Sequence, residues 1–256
     1  MFKRYLKRMN PFYGYVRTYK KIKRTADFFA VKPSSERLGK QGEDKTKREI
    51  WLSLSSKIYE RVHDLIIPSK NGTTQIDHLI ISPYGLFIVE TKNLTGWVFG
   101  SERQANWTQS LYGDKYSFQN PLRQTYRQKK ILAEYLGVSE SCIHTVIYFV
   151  GKCTFKTDLP SNVINEGLGR YIKSFEDPIL ASQELEMITY KVKTLLEETS
   201  LTGAAHIQSL NNRHNSTDIC PRCGSALVER TAKKGATAGS TFLGCSSFPK
   251  CKYTKS

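Results

Sequence analysis

The chain has 256 residues, with 39 Lys and Arg against 23 Asp and Glu and a formal net charge of +16. Six cysteines in that length are too few for a disulfide-dense secreted scaffold, and no apolar run reaches the length of a signal-peptide core or a membrane span, so a cytoplasmic protein with no transmembrane segment is expected. The charge sits at the ends: residues 1–24 hold nine Lys or Arg and no acid, residues 219–256 hold seven and one Glu, and the middle is nearly neutral, a distribution that points to polyanion binding by the ends.

Residues 1–35 form a basic arm in which Phe2, Tyr5, Phe12, Tyr13, Tyr15 and Tyr19 interleave with the cations. Nucleic acid, an anionic membrane surface and the protein's own body are three open partners for it. Gly39-Lys40-Gln41-Gly42-Glu43 opens a helix that reaches about Leu54, with Ile50, Trp51 and Leu54 on its apolar stripe and Glu43 in its first turns.

Two short β-branched or aromatic runs, 76–81 and 86–89, flank Ser82-Pro83-Tyr84-Gly85 and read as a hairpin. A loop of two or four residues sets Asp77 opposite Glu90, with Lys92 on the same face because side chains alternate along a strand. A three-residue loop with a bulge at Gly85 slips the register by one and sets Asp77 against Thr91 instead. In the even register two carboxylates repel, and a hard divalent cation, Mg2+ or Mn2+, is their natural occupant, polarising a phosphoryl group and activating water while Lys92 stabilises developing charge. The competing reading makes Asp77 a strand-end residue and Glu90–Lys92 a surface ion pair worth about 0–1 kcal/mol.

Gln119-Asn120-Pro121-Leu122-Arg123-Gln124 places proline at a helix start, with Ile131, Leu132, Tyr135 and Leu136 following at helical spacing. This helix directs Gln124 and Arg127 toward a phosphate. His144–Val150 predicts a buried strand, 162–164 another short one, and 178–198 a helix carrying Ile188, Val192 and Leu195. The polar segment 209–218 reads as a linker. His78 and His144 adjoin apolar runs and are expected to be core histidines rather than ligands, and Cys142 and Cys153 ordinary buried thiols.

The ordered set of G-x-x-G-E, the Ile-Asp strand, Val-Glu-Thr-Lys, Gly96-Trp97 and Asn-Pro-Leu-x-Gln resembles the nuclease-related domain family, within the PD-(D/E)XK nuclease superfamily and similar to Mrr-type restriction endonucleases. Ile76 stands where the superfamily name has proline. The resemblance spans about residues 36–150 of a body running from 36 to 208. It implies an α/β (mixed α+β) fold with a restriction-endonuclease-like mixed sheet flanked by helices. It also implies that Glu43, Asp77, Glu90 and Lys92 carry the metal and the chemistry, with Gln124 in support.

Residues 219–256 contain Cys220-Pro-Arg-Cys223, then Cys245 and Cys251, a spacing that fits a four-thiolate zinc site. The strings around these cysteines look like the C-terminal zinc-binding repeat of bacterial type I DNA topoisomerases, whose Ser-x-x-Pro-x insert accounts for the wide second spacing. A segment this small folds around its metal. Arg222, Lys233, Lys234, Phe248, Lys250, Lys252 and Tyr253 are candidate nucleic-acid contacts, stacking bases while neutralising phosphates; packing within a very small core is the alternative for the aromatics. The expectation is a Mg2+-dependent nuclease acting on nucleic acid, with DNA favoured and single strands one option. A non-catalytic nucleic-acid-binding adaptor is the alternative, and the oligomeric state is open.

Overall fold

A computed structural model of the chain describes residues 35–256, apart from 199, 222, 234, 236, 237, 250 and 256. The chain divides into two compact units, residues 1–40 and 41–256. The basic arm lies outside the described residues except for its last position, and all that follows concerns the second unit. Among the described residues no helix is long and apolar enough to cross a membrane.

The architecture is mixed α+β. Helix α1 (Ser35–Ser53) leads into three antiparallel strands, β1 (Glu60–Ser69), β2 (Gly72–Ser82) and β3 (Gly85–Lys92). A second group follows, β4 (Gly96–Phe99), β5 (Asn106–Leu111) and β6 (Asp114–Gln119), and then α2 (Pro121–Leu136). Strand β7 (Ile143–Phe149) runs parallel to β3, and β9 (Val163–Ile164) parallel to β7, completing a five-stranded sheet in the order β1-β2-β3-β7-β9. Strand β8 (Cys153–Phe155) joins a four-stranded sheet ordered β6-β5-β4-β8. Helices α3 (Leu168–Lys173), α4 (Ser182–Glu197) and α5 (Gly203–Asn215) precede a ribbon of β10 (Leu227–Thr231), β11 (Thr241–Cys245) and β12 (Thr254–Lys255).

Alternation along the strands sorts the core into layers. Leu79, Ile81, Leu86 and Ile88 meet Leu132 and Leu136 of α2 and Ile188, Val192 and Leu195 of α4 on one face. Ile80, Phe87 and Val89 meet Ile50 and Leu54 of α1 and Leu168 and Ile172 of α3 on the other. Val98, Trp107 and Phe149 fill the junction of the two sheets. The Asn-Pro-Leu string anchors the start of α2. Asn120 is fully buried; its Oδ1 accepts the Leu122 N–H at 2.9 Å, and its Nδ2 donates to the carbonyls of Ser101, Glu102 and Gln104. Pro121 then sits where no intrahelical N–H is needed.

The expected linker 209–218 is helix for most of its length, because α5 continues to Asn215. Its polarity reflects a helix laid on β2 by polar contacts: Ser209 Oγ accepts the Thr73 N–H at 2.9 Å, and His206 Nδ1 meets Thr73 Oγ1 at 2.7 Å. The four-stranded sheet is not predicted by the sequence pattern; β4 and β8 have only four and three residues, and β5 and β6 mix polar residues among their aromatics, so none carries a long apolar run.

Candidate active site and zinc centre

The β2–β3 loop has two residues, Pro83 and Tyr84, with Ser82 paired to Gly85 and His78 to Val89. That is the even register. Gly85 has φ +120°, where a Cβ would be strained and only 2.9 Å from the Cys142 carbonyl. Beyond His78–Val89 the ladder opens, and Asp77 fills the gap with its side chain: Oδ2 accepts the Thr91 N–H at 3.0 Å. The Glu90 and Lys92 side chains meet α2 at Gln128 and Gln124, and Asp77 lies close enough for both charges to act on its carboxyl.

Glu90 is 2% exposed, a setting that demands partners for a carboxylate. Lys92 Nζ makes a close ion pair with Oε1, and Gln128 Nε2 donates to Oε2 at 3.0 Å. Lys92 Nζ also donates to Gln124 Oε1 at 3.3 Å. The structure therefore brings Gln124, Glu90 and Lys92 together and adds Gln128, which sequence reasoning missed. It lies one helical turn beyond Gln124 on the same face, a spacing that could have found it. Arg127 turns away from this group, donating to Asn71 Oδ1 at 2.9 Å.

Burial, and then the neighbouring Glu90 charge, push the Asp77 carboxyl up to about 8, against the pull of the Thr91 N–H and Lys92. With Oδ2 accepting from Thr91, Oδ1 is the oxygen that takes the proton in the neutral form. Glu43 reaches the edge of the site from α1; its pKa is raised by burial first, then by Asp64 and, more weakly, by Asp44 and Glu90. Gly42 permits this approach, since a Cβ there would lie 2.7 Å from the Asn93 Cβ, just past β3. Oxygens of Glu43, Asp77 and Glu90 do not come together within 4.8 Å; among the described residues only the four cysteines form so tight a cluster of three or more such groups.

Behind the site, on the α1 face, His63 Nδ1 meets His78 Nδ1 at 2.9 Å and His78 Nε2 meets Thr91 Oγ1 at 3.2 Å. Thr91 donates to Thr46 Oγ1 at 3.0 Å, and Thr46 to the Gly42 carbonyl at 3.1 Å. His78 is thus a satisfied core histidine. His144 stacks on Phe87 with ring centroids 4.9 Å apart.

In the ribbon, two turns present the thiols. Gly224 N–H donates to the Cys220 carbonyl and Cys251 N–H to the Ser247 carbonyl. Cys220 and Cys251 Sγ are 3.8 Å apart, Cys223 and Cys245 Sγ 3.3 Å, and all four lie within 4.8 Å of one another. Tetrahedral zinc–thiolate bonds of about 2.3 Å require sulfurs about 3.8 Å apart, so the cluster fits the ion. Burial raises the Cys223 thiol, but hydrogen bonds from Ser225, Cys245 and Cys251 outweigh it and bring it down to about 6; burial drives Cys251 up to about 12. One ligand is thus biased toward the thiolate that zinc requires.

Of the candidate nucleic-acid contacts, Phe248 is exposed with the Arg230 guanidinium 5.6 Å over its ring, and Lys233 and Lys252 are exposed. Tyr253 packs instead on the cluster of Leu227, Leu243 and the cysteines. Arg222, Lys234 and Lys250 lie outside the described residues. Lys255 donates to the carbonyls of Asn215 and Ser216, capping the end of α5 from the ribbon.

Fold and sites together define a mixed α+β protein with a buried carboxylate–lysine group at one strand end and a separate four-thiolate centre. The nuclease-related domain model matches residues 38–150, and the topoisomerase DNA binding C4 zinc finger model matches residues 217–256. An uncharacterized protein of Bacillus anthracis is 33% identical over 181 residues, 68% of this chain and 84% of that relative. An uncharacterized protein of Haemophilus influenzae is 40% identical over 48 residues, 19% of this chain and 24% of that relative. No solved structure matches the chain. The chain belongs to the nuclease-related domain family and carries a topoisomerase-type four-cysteine zinc ribbon.

Proposed function

We propose that the chain is a metal-dependent nuclease that hydrolyses phosphodiester bonds of nucleic acid, DNA above all, with the zinc ribbon holding the substrate. The observation that supports this reading is the nearness of Asp77, Glu90 and Lys92 at the open end of the β2–β3 ladder, where Asp77 is raised by burial and by Glu90. The residues suit a hard cation: two carboxylates repel across a gap, and Gln128 Oε1 is a buried acceptor with no hydrogen-bond partner beside Glu90. Asp77 and Glu90 would hold Mg2+ or Mn2+, with Glu43 at the edge of the site. When bound, such an ion supplies Lewis acidity toward phosphoryl oxygens and lowers the pKa of a coordinated water.

The protein's own groups do the rest. Lys92, fixed between Glu90 and Gln124, presents an ammonium to the charge that develops on the phosphoryl oxygens. Gln128 ties Glu90 to the Gln75 carbonyl, donating to both, and so holds the carboxylate rotamer. Asp77 must release its Oδ1 proton before it serves as an anionic ligand.

Purified protein assayed on single-stranded, double-stranded and branched DNA and on RNA, with and without Mg2+ or Mn2+, tests the proposal. Metal-dependent cleavage that disappears in Asp77→Asn supports it, and equal cleavage by that variant rejects it. A second reading, a non-catalytic adaptor on a nuclease scaffold, is favoured by one observation: Glu90 is already satisfied by Lys92 and Gln128, and the three acids are not gathered. That reading expects calorimetry to show no Mg2+ binding dependent on Asp77 and Glu90.

A further inference from the structure

We infer that Arg127 and Arg213 form a second anion site, where α2, the β1–β2 turn and α5 meet, and that it holds a backbone phosphate of bound nucleic acid. The inference rests on the reading that the chain binds nucleic acid and adds a contact outside both the carboxylate group and the ribbon's own surface.

Three chain segments converge there. Arg127 lies one turn along α2 from Gln124 and donates to Asn71 Oδ1 in the β1–β2 turn at 2.9 Å. Arg213, near the end of α5, donates from Nη1 to the Thr73 carbonyl at 3.3 Å. Gly72 and Thr73 seat α5 closely: a Cβ on Gly72 would lie 2.3 Å from Ser209 Oγ, and the Thr73 N–H donates to that hydroxyl. The first knuckle of the ribbon borders the site as well, since a Cβ on Gly224 would touch Asn71 Cβ at 3.5 Å.

The electrostatics at Arg213 favour an anion. Both guanidinium groups are partly buried, and their basicity is lowered by burial first; for Arg127, the Arg213 charge lowers it further. Bringing two like charges together in a desolvated seam is unfavourable unless something negative joins them. Among the described residues no carboxylate lies within ion-pair distance, 4.0 Å, of Arg213. His206, which faces the same turn, is also shifted toward its neutral form by burial and Arg213, so it adds no negative charge. The unmet groups are donors: Asn71 Nδ2 and Arg213 Nε are buried without a hydrogen-bond acceptor. A phosphodiester supplies two anionic acceptor oxygens and suits paired guanidiniums by geometry and charge.

The alternative is that Arg213 only fastens α5 through Thr73. Fluorescence anisotropy separates the two, using the full chain, fluorescein-labelled single-stranded DNA and the matching RNA, a salt titration and no added divalent metal. Arg213→Gln and Arg127→Gln should each weaken binding about 3- to 10-fold at 0.1 M salt and reduce the log–log salt slope by about 0.7–0.9. Arg213→Lys should keep most of the slope. Ser209→Ala, which loosens α5 without touching charge, should keep the wild-type slope. Loss on DNA alone or on both strands identifies the polymer. An unchanged slope in Arg213→Gln, or a Ser209→Ala protein that loses as much as Arg213→Gln, overturns the phosphate site while leaving the nuclease reading standing. A wild-type protein that binds neither oligonucleotide overturns the phosphate site, and the cleavage assay on double-stranded and branched DNA then decides the nuclease reading.

Discussion

The ribbon and the body build their polar clusters in opposite ways. Cys220, Cys223, Cys245 and Cys251 lie within 32 residues of chain, are presented by two local turns and already gather within 4.8 Å. Glu43, Asp77, Glu90 and Gln128 come from α1, β2, β3 and α2, supported by a large apolar core on both sheet faces. Their acids stay spread, Glu90 is paired with Lys92, and burial with the Glu90 charge pushes the Asp77 carboxyl toward its neutral form. A metal site made by short turns has little else to hold it and depends on its ion for folding. A polar group carried on a deep core has that core to hold it in place.

Zinc removal should produce the largest difference between the two regions. The described ribbon core amounts to Leu227, Leu243, Tyr253 and the cysteines, while structural zinc contributes about 10–16 kcal/mol in comparable peptides. Cys220→Ser or chelation should unfold residues 219–256 and leave the body's melting transition in place. Limited proteolysis reads this directly; a ribbon that stays resistant without metal contradicts the contrast drawn above.

In the body, Asp77→Asn and Lys92→Ala should lower cleavage by roughly a thousandfold or more, the scale of lost metal and transition-state charge stabilisation, with nucleic-acid affinity within about twofold of wild type. The same aspartate makes stability depend on pH with a definite sign. Its folded pKa, about 8, lies above the unfolded value of about 3.9. The stability it contributes is therefore complete below pH of about 4 and lost as pH rises toward 8. Without metal, wild-type protein should lose stability relative to Asp77→Asn over that window, by an amount on the order of a few kcal/mol. Mg2+ should bind more tightly as pH rises through the window and release a proton on binding. Parallel stability curves for the two proteins would show that Asp77 is ionised in the free state.

The contrast also explains what was legible in the chain. The thiolate spacing is a local property, so the zinc centre could be read from residues 219–256 alone, whereas the sequence left two hairpin registers open and the two-residue loop 83–84 selects the even one. The nearness of Gln124 to Lys92 follows the order of the family's motifs. Gln128, the His63–His78–Thr91–Thr46 chain and the Arg127–Arg213 pair were not legible, because each joins elements distant in sequence through polar side chains that carry no periodicity. The β4–β6 and β8 strands escaped because two are only three or four residues long and the half-exposed β5 and β6 mix polar residues through their length, as a loop does.

A smaller effect is expected from Gly42→Ala, which places a methyl 2.7 Å from Asn93 Cβ and 3.3 Å from Val150 Cγ2. Overpacking of this kind typically costs about 1–3 kcal/mol. Because it lifts α1 at the residue preceding Glu43, cleavage should fall further than stability does, whereas the zinc content should not change. Wild-type activity in Gly42→Ala would separate Glu43 from the chemistry.

The smallest effect should come from the hydroxyl relay behind the site, where the proton order can be worked out. Thr46 donates to the Gly42 carbonyl and Thr91 to Thr46, so Thr91 Oγ1 can only accept from His78 Nε2–H, and His78 Nδ1 must accept from His63 Nδ1–H. His78 is therefore locked neutral, consistent with a pKa driven down to about 3 by burial and by His63. Its contribution has the opposite sign to that of Asp77: it is present above the unfolded histidine value of about 6.5 and lost as pH falls below it. Thr46→Val removes the last acceptor for Thr91 and should cost about 1–3 kcal/mol, with a small change in cleavage because the Thr91 N–H still reaches Asp77. Nitrogen-15 NMR should show His78 protonated at Nε2 alone in wild type. A His78 ring carrying its proton on Nδ1 would reverse the direction of the whole side-chain relay, with the Thr91 N–H still on Asp77.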